Sequence, residues 1–444
     1  MTGISAIAFA AVFGWMTLAV GRPASADSPA IARTEVAAES NADGPIASAE
    51  PDWPQWRGPR RDEISDEKGL LPTWPPAGPT LLWKIDGLGR GWSAPIVVGK
   101  RLYVTGDVHD DLVIFAFDLD GKMLWHAKNG QSWKGSYPGA RACCVYSDGK
   151  LHHMNAHGRV ACLQAATGHE IWAVDVLERF AGANITWAMS ECLLVDGPRL
   201  IVTPGGKDAL MAALDKTTGR TIWTTKALCD DRTSYCSPML FRCAGQRILA
   251  GCSAAHGFGV NANDGRLLWT VPLRSPYGVN IMTPVYGGNK IFYTTPYVYG
   301  TCYQLQSGDA GPHSEKAWST TLDTCTGTVL LADSLLYGSG YQKHKSWLCL
   351  DWKSGEVRYE SKALPTGAAV YADGRLYCLA EDGRAALLKP TPGKFEIEGQ
   401  FRLVPEEVHD AWAHPVLLHG RLYLRYHDAL RCYDVLGRKQ GPPP

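Results

Sequence analysis

Neither sign of charge is in excess in this sequence: 44 Lys plus Arg stand against 44 Asp plus Glu, a formal net charge of zero. No overall field would draw such a chain to nucleic acid or to an anionic membrane surface. Long hydrophobic runs are scarce as well. Only Ile4 to Val20 comes near the length that crosses a bilayer, and it is interrupted by Ser5, Thr17 and glycine. Ala24-Ser25-Ala26 then supplies the small-x-small pattern of a secretory cleavage site. Residues 1–26 are expected to be a signal peptide and the mature chain to begin near Asp27, in the periplasm or outside the cell. With only the α-amino group ahead of the apolar run, a membrane anchor is the competing reading of the same residues. No Cys precedes Cys143, which excludes a lipid-anchoring cysteine near that cleavage site. A phosphate-binding Gly loop, a kinase signature and a Gly-x-Ser-x-Gly elbow are also missing.

What is present is globular: 45% of the 444 residues are hydrophobic and 20% charged, enough to bury a large core. Gly (47), Pro (28) and Trp (16) are plentiful, and short apolar runs alternate with turns, the usage of an all-β chain. Residues 27–51, rich in Ala, Ser, Glu and Pro, read as a disordered linker. Beyond them a period emerges. Trp83, Trp125, Trp172, Trp223, Trp269 and Trp318 are spaced by 42, 47, 51, 46 and 49 residues, and Tyr359 follows 41 later. One four-stranded blade of a β-propeller fits that interval.

The signals inside each period recur in order. A Gly turn leads to a strand such as Arg101-Leu102-Tyr103, Arg199-Leu200-Ile201, Arg375-Leu376-Tyr377 or Arg421-Leu422-Tyr423. The next strand centres on a small residue, with Ala116, Cys162, Ala213, Val260, Cys302, Cys349 and Cys432 at one repeat position. This accounts for four of the thirteen cysteines as packing residues. The turn that follows runs Asp215-Lys216-Thr217-Thr218-Gly219, with Trp223 four residues after the Gly; Gln164 to Trp172 and Asp351 to Tyr359 repeat it, and Asp118 to Trp125 and Asn261 to Trp269 are variants. Gly admits a positive-φ turn, Asp and Thr bond its amides, and Trp can lie flat on a neighbouring blade.

This motif resembles the tryptophan-docking repeat of quinoprotein-type propellers, and from Trp53 on the chain resembles an exported PQQ-binding-like β-propeller. Trp53-Pro54-Gln55-Trp56-Arg57-Gly58-Pro59 also matches an opening segment common in that family. The expected fold is an eight-bladed β-propeller over 80–436, with four-stranded antiparallel blades, an N-terminal extension at 52–79 and a tail at 437–444. The strand Thr80 to Ile85 is expected to close the ring. Seven blades is the alternative, because the repeat from Gly367 to Phe401 lacks its Trp.

In such a ring the loops leading into the first strands and the loops between second and third strands share one face. The former would bring Trp92, Arg141, Trp187, Tyr235, Asn280 and Trp412 to the channel mouth; the latter would bring His157, His256, Lys343, His344, Asp382, His427 and Asp428. Such a funnel suits a flat or sugar-like ligand, although propeller loops are polar whatever they do. Cys143-Cys144 has two readings: a vicinal disulfide forming a flat platform, or two buried thiols on opposite sides of a strand. The resemblance implies the first, against a PQQ ring, together with a Ca²⁺ on Glu and Asn side chains and an Asp general base. Glu191 and Asn280 are the best-placed cation ligands and Asp323 the best-placed base, but their surrounding motifs do not match those enzymes. The His152 to His157 run lies on a strand, where its spacing does not form a zinc site. The expected function is therefore a ligand-binding or protein-interaction scaffold for a small molecule, glycan or protein. The alternative is a PQQ- and Ca²⁺-dependent oxidoreductase acting on an alcohol or sugar.

Overall fold

Every repeat folds as a four-stranded antiparallel sheet whose consecutive strands are neighbours, and eight such sheets form the molecule. The structure, a computed structural model, describes residues 42–228, 231–308 and 311–437. Blades 1 to 7 span 96–131, 145–175, 194–224, 239–272, 285–320, 329–361 and 367–402. Blade 8 takes three strands from Val416–Leu418, Arg421–Tyr426 and Ala429–Asp434 and its outer strand from Thr80–Ile85. That outer strand pairs antiparallel with Ala429–Asp434, so the two ends of the repeat region close the ring as expected. The seven-bladed alternative falls with it.

Position in the blade dictates the sequence pattern. The third strand of blade 1, Asp111–Asp118, is buried along both faces because blades stack on either side, and it reads as a continuous apolar run. The outer strand Met123–Gln131 meets solvent and alternates. The docking residues then join blade to blade. Cys162 stands opposite Trp172 and Ala213 opposite Trp223 in the β register, leaving room for the indoles. Five of the six indoles lie against a turn glycine of the next blade: Trp83 on Gly121, Trp125 on Gly168, Trp172 on Gly219, Trp223 on Gly265 and Trp318 on Gly355. All five glycines have φ between +70° and +83°, and a Cβ would strike the indole. Four of the indole N–H groups also donate to that blade, Trp83 to the Leu119 carbonyl at 2.8 Å among them.

Two expectations are corrected, and one gap in the repeat is filled. In blade 4 the small position is Gly259, not Val260, because the bulge that every docking turn carries falls between them and Gly259 faces Trp269. A Cβ at Gly259 would lie 2.2 Å from that ring. Blade 7 replaces its missing Trp with Trp74 of the N-terminal extension, which packs on Gly399, Tyr377 and Phe401. The linker ends earlier than expected: Gly44–Pro45 pairs with Met239–Cys243 and adds a fifth strand to blade 4. The segment expected to be a signal peptide, most of the expected linker and all but the first residue of the expected tail lie outside the described residues. Among the described residues no helix is long and apolar enough to cross a membrane.

Candidate functional site

Closing eight blades into a ring leaves their first strands with bare peptide edges around a channel, and unpaired buried N–H and C=O groups are costly. The N-terminal segment covers part of these edges, reaching every blade. Ile46 donates to Leu240, Trp53 pairs with Val97, and Tyr146 donates to the Pro54 carbonyl. Arg57 reaches the Val329 carbonyl at 2.6 Å and the Thr283 carbonyl at 3.4 Å, while Arg61 reaches those of Cys192 and Leu193 at 2.8 and 3.1 Å. Ile64 pairs with Tyr371, and Glu63 contacts His414 ahead of blade 8. Arg57, Arg61 and Glu63 are all buried and all in the left-handed region, with φ of 62°, 56° and 61°. Such strain, of order 1–3 kcal/mol per residue, persists only where the surroundings hold it. The two guanidiniums, fanned over backbone carbonyls, supply that hold.

Above this plug lies a cavity of about 840 Å³, within the size range of small-molecule sites. Trp56, Arg57 and His414 contribute to its floor and the lead-in loops to its walls. Five expected residues are among its lining: Trp92, Arg141, Trp187, Tyr235 and Trp412. They form two aromatic sectors. Trp92 and Trp412 pack at 5.1 Å between centroids, with Tyr137 5.4 Å from Trp412. Across the ring, Trp187 contacts Tyr235 at 6.1 Å and Tyr277 at 6.3 Å, and the row continues through Tyr297 and Tyr341. Arg141 lies over Trp92 and Trp133 at 5.7 and 5.8 Å and is braced by the carbonyls of Gly139 and Tyr137. Burial lowers its pKa to about 10, so it stays charged at neutral pH. Arg232 also lines the cavity, and no carboxylate does so among the described residues.

The remaining expected residues are placed elsewhere. Asn280 is buried with its amide nitrogen bonded to the carbonyls of Ser253, Ala254 and Leu273 and its oxygen accepting from Thr295 at 2.6 Å. Both oxygens of Glu191 accept from Thr203, one from the amide at 2.8 Å and one from the hydroxyl at 3.0 Å, and burial raises its pKa to about 8. Asp323 accepts from the amides of Tyr297, Tyr341, Gln342 and Lys343, so it braces two wall tyrosines rather than facing the cavity as a base. Cys143 and Cys144 are buried free thiols, both pushed up by burial; the Cys143 amide donates to Cys192 Sγ at 3.2 Å. His157, His256 and His427 bond or stack with Ser132, Asp231 and His409 respectively. Lys343, His344, Asp382 and Asp428 also fall outside the lining. The second-to-third loops contribute Tyr297 and Tyr341 instead.

The cation-and-base set that the resemblance implied therefore does not fit: its members are turned to separate structural partners. No group of three His, Cys, Asp or Glu side chains converges among the described residues. Two contributors escape a repeat-based reading. Trp56 and Arg57 lie outside the repeats, and their segment was visible only as a motif without a place. His414 did carry a signal. Two residues before the first strands of blades 1 to 6 stand Ala94, Cys143, Cys192, Ser237, Thr283 and Gly327, blade 7 has Pro365 at that offset, and blade 8 alone places an ionisable ring there, His414.

Comparison with known proteins bears on the scaffold. The family described as outer membrane protein assembly factor BamB matches residues 110–361. The quinoprotein alcohol dehydrogenase PedH of Pseudomonas putida KT2440 is 24% identical over 289 residues, 62% of this chain and 40% of that protein. The chain thus spans well under half the length of the curated relatives it matches. Among solved structures, BamB from Moraxella catarrhalis has a TM-score of 0.56 at 13% identity, covering 83% of this chain and 100% of that one. A quinohemoprotein alcohol dehydrogenase from Comamonas testosteroni has 0.59 at 11%, covering 89% and 82%. At these identities the likeness is one of fold.

Proposed function

Since the chain belongs to the PQQ-like β-propeller family described as outer membrane protein assembly factor BamB, we propose that it is a binding protein that holds a flat, negatively charged small molecule in the cavity at its hub. The observation that carries this reading is the cavity itself: about 840 Å³ walled by Trp and Tyr, with Arg141 and Arg232 in its lining besides Arg57, whose charge Glu63 meets. Stacking on aromatic faces suits a planar ligand, and guanidiniums suit its anionic groups. A binding role is favoured over PQQ- and Ca²⁺-dependent oxidation because Glu191, Asn280 and Asp323 are each consumed by backbone or hydroxyl partners. Placement in the periplasm or outside the cell belongs to the same proposal and rests on the N-terminal segment of the sequence.

The test is calorimetric titration of the mature protein with pyrroloquinoline quinone as a planar anion, with and without Ca²⁺, and with a neutral oligosaccharide as the contrast. We expect Ca²⁺-independent binding of the planar anion. Trp187→Ala combined with Trp412→Ala should weaken it at least roughly tenfold, as the loss of two stacking faces predicts, with the far-UV spectrum unchanged. Unchanged affinity in the double variant, or heat from the oligosaccharide alone, would overturn the placement or the ligand class. A strict Ca²⁺ requirement would restore the dehydrogenase reading. Heat from neither probe would leave the protein-interaction scaffold.

A further inference from the structure

His414 does not belong to the scaffold's pattern. Blades 1 to 6 keep Ala, Cys, Ser, Thr or Gly at its position and blade 7 has Pro365, where the lead-in loop passes the plug. A bulky imidazole there must be accommodated, and two contacts, each braced by a further residue, do so. Its Nδ1 is in hydrogen-bond contact with Glu63 Oε1, a carboxylate that is 1% exposed. The other oxygen of Glu63 lies 3.3 Å from Arg57 Nη2. The Trp56 ring meets the imidazole edge-on at 4.5 Å between centroids, and Trp56 is itself pinned by its N–H donating to Thr283 Oγ1 at 3.3 Å. Carboxylate on one nitrogen and indole beside the ring leave one nitrogen to consider.

That nitrogen is Nε2. Among the described residues it has no hydrogen-bond partner, it is not sealed as a buried orphan, and His414 lines the cavity. The contrast within the same chain is direct: His152 Nδ1 and His153 Nε2 are buried without a partner, their rings enclosed by packed protein. A carboxylate at Nδ1 takes that nitrogen's proton in a hydrogen bond, so the neutral ring keeps its lone pair on Nε2.

We infer that His414 is the hydrogen-bond acceptor at the floor of this cavity, that Glu63 is its positioning residue, and that the ligand group seated there is an O–H or N–H donor. The inference rests on the hub cavity being the binding site. It narrows the ligand to a planar acid that also carries a hydroxyl, enol or ring N–H. Transfer of that proton would leave an anion on the ligand and an N–H on Nε2, with the charge of the imidazolium stabilised by Glu63. The arrangement also accounts for the strain in the plug, since the left-handed turn at Glu63, φ 61°, is what aims its carboxylate at a blade 351 residues away in sequence.

Two measurements on the full chain test this without any ligand. Nitrogen-15 NMR of histidine-labelled protein, with the signal assigned through His414→Gln, should show the lone pair of His414 on Nε2. In Glu63→Gln, Arg57 retains the amide oxygen, the amide nitrogen turns to Nδ1, and the tautomer should invert. Diethylpyrocarbonate, which acylates an accessible unprotonated imidazole nitrogen, should modify His414 in the folded protein while sparing His152 and His153, and should act severalfold more slowly on Glu63→Gln. A lone pair on Nδ1 in the unaltered protein, an inert His414, or an unchanged signal in Glu63→Gln overturns the inference. Should Glu63→Gln fail to fold, the tautomer and reactivity of the unaltered protein decide alone. Unchanged ligand affinity in the Trp variants would overturn the cavity reading without touching this tautomer, so the two readings fail separately.

Discussion

Glu191 illustrates how a side chain that looks like a ligand in a sequence becomes part of the frame. Fully enclosed beside Thr203, its carboxyl has a pKa raised to about 8, chiefly by burial. A raised value means that the folded state holds the proton more tightly than the unfolded chain does. The group's contribution to stability is therefore fully present below about pH 4.5, its ordinary value, and declines as the pH rises toward 8. Glu191→Gln keeps the shape and the Thr203 contacts without the ionisation. Its melting temperature relative to the unaltered protein should rise steadily between pH 5 and pH 8, in a fluorescence melt series. A difference that stays flat across that range would mean Glu191 is not buried as the structure has it. Asn280 and Asp323 follow the same logic, since polar groups taken from water must be bonded, and neighbouring backbone did the bonding.

The docking turn is the unit that makes one blade hold the next. Gly219, at φ +70°, carries the Trp172 indole, and a Cβ there would approach the ring to 2.8 Å. Gly219→Ala should destabilise by roughly 1–3 kcal/mol, combining left-handed strain with displacement of the indole, which urea unfolding would register as a lowered midpoint. An unchanged midpoint would show that the blades do not depend on this contact. Blade 7 marks the limit of the repeat: its missing Trp is replaced by Trp74, a residue outside every repeat.

Closure is a property of the whole ring. The Thr80–Ile85 strand joins blade 8 to the start of the chain, and Trp83 then docks on Gly121 and donates to Leu119 of blade 1. Trp83→Ala should lower stability by about 3 kcal/mol, near the low end for large-to-Ala changes because the indole is half-buried. Protease cleavage near 80–85 should rise with it. If cleavage and melting temperature both stay put, the ring is closed by something other than this seam. The plug acts at the same scale, since one segment near the N-terminus reaches all eight blades and carries Trp56, Arg57 and Glu63 to the site.

The fold was legible because its information is local and repeated. A Gly four residues before a Trp, at one phase in blade after blade, specifies turn, register and docking, and the strand at 80–85 had to pair because blade 8 lacked an outer strand. The aromatic walls followed from the same phase: Trp92, Arg141, Trp187, Tyr235 and Trp412 stand where lead-in loops converge. Only the tertiary structure decided which polar residues face the cavity. Glu191, Asn280 and Asp323 lie in the same lead-in loops as the wall residues, yet a turn of each side chain toward backbone or hydroxyl partners removes it from the site. The floor was hidden for another reason: Trp56 and Arg57, with Glu63 behind them, precede the first repeat, and the meeting with His414 spans 351 positions between Glu63 and the imidazole, a distance over which no spacing in a sequence carries register.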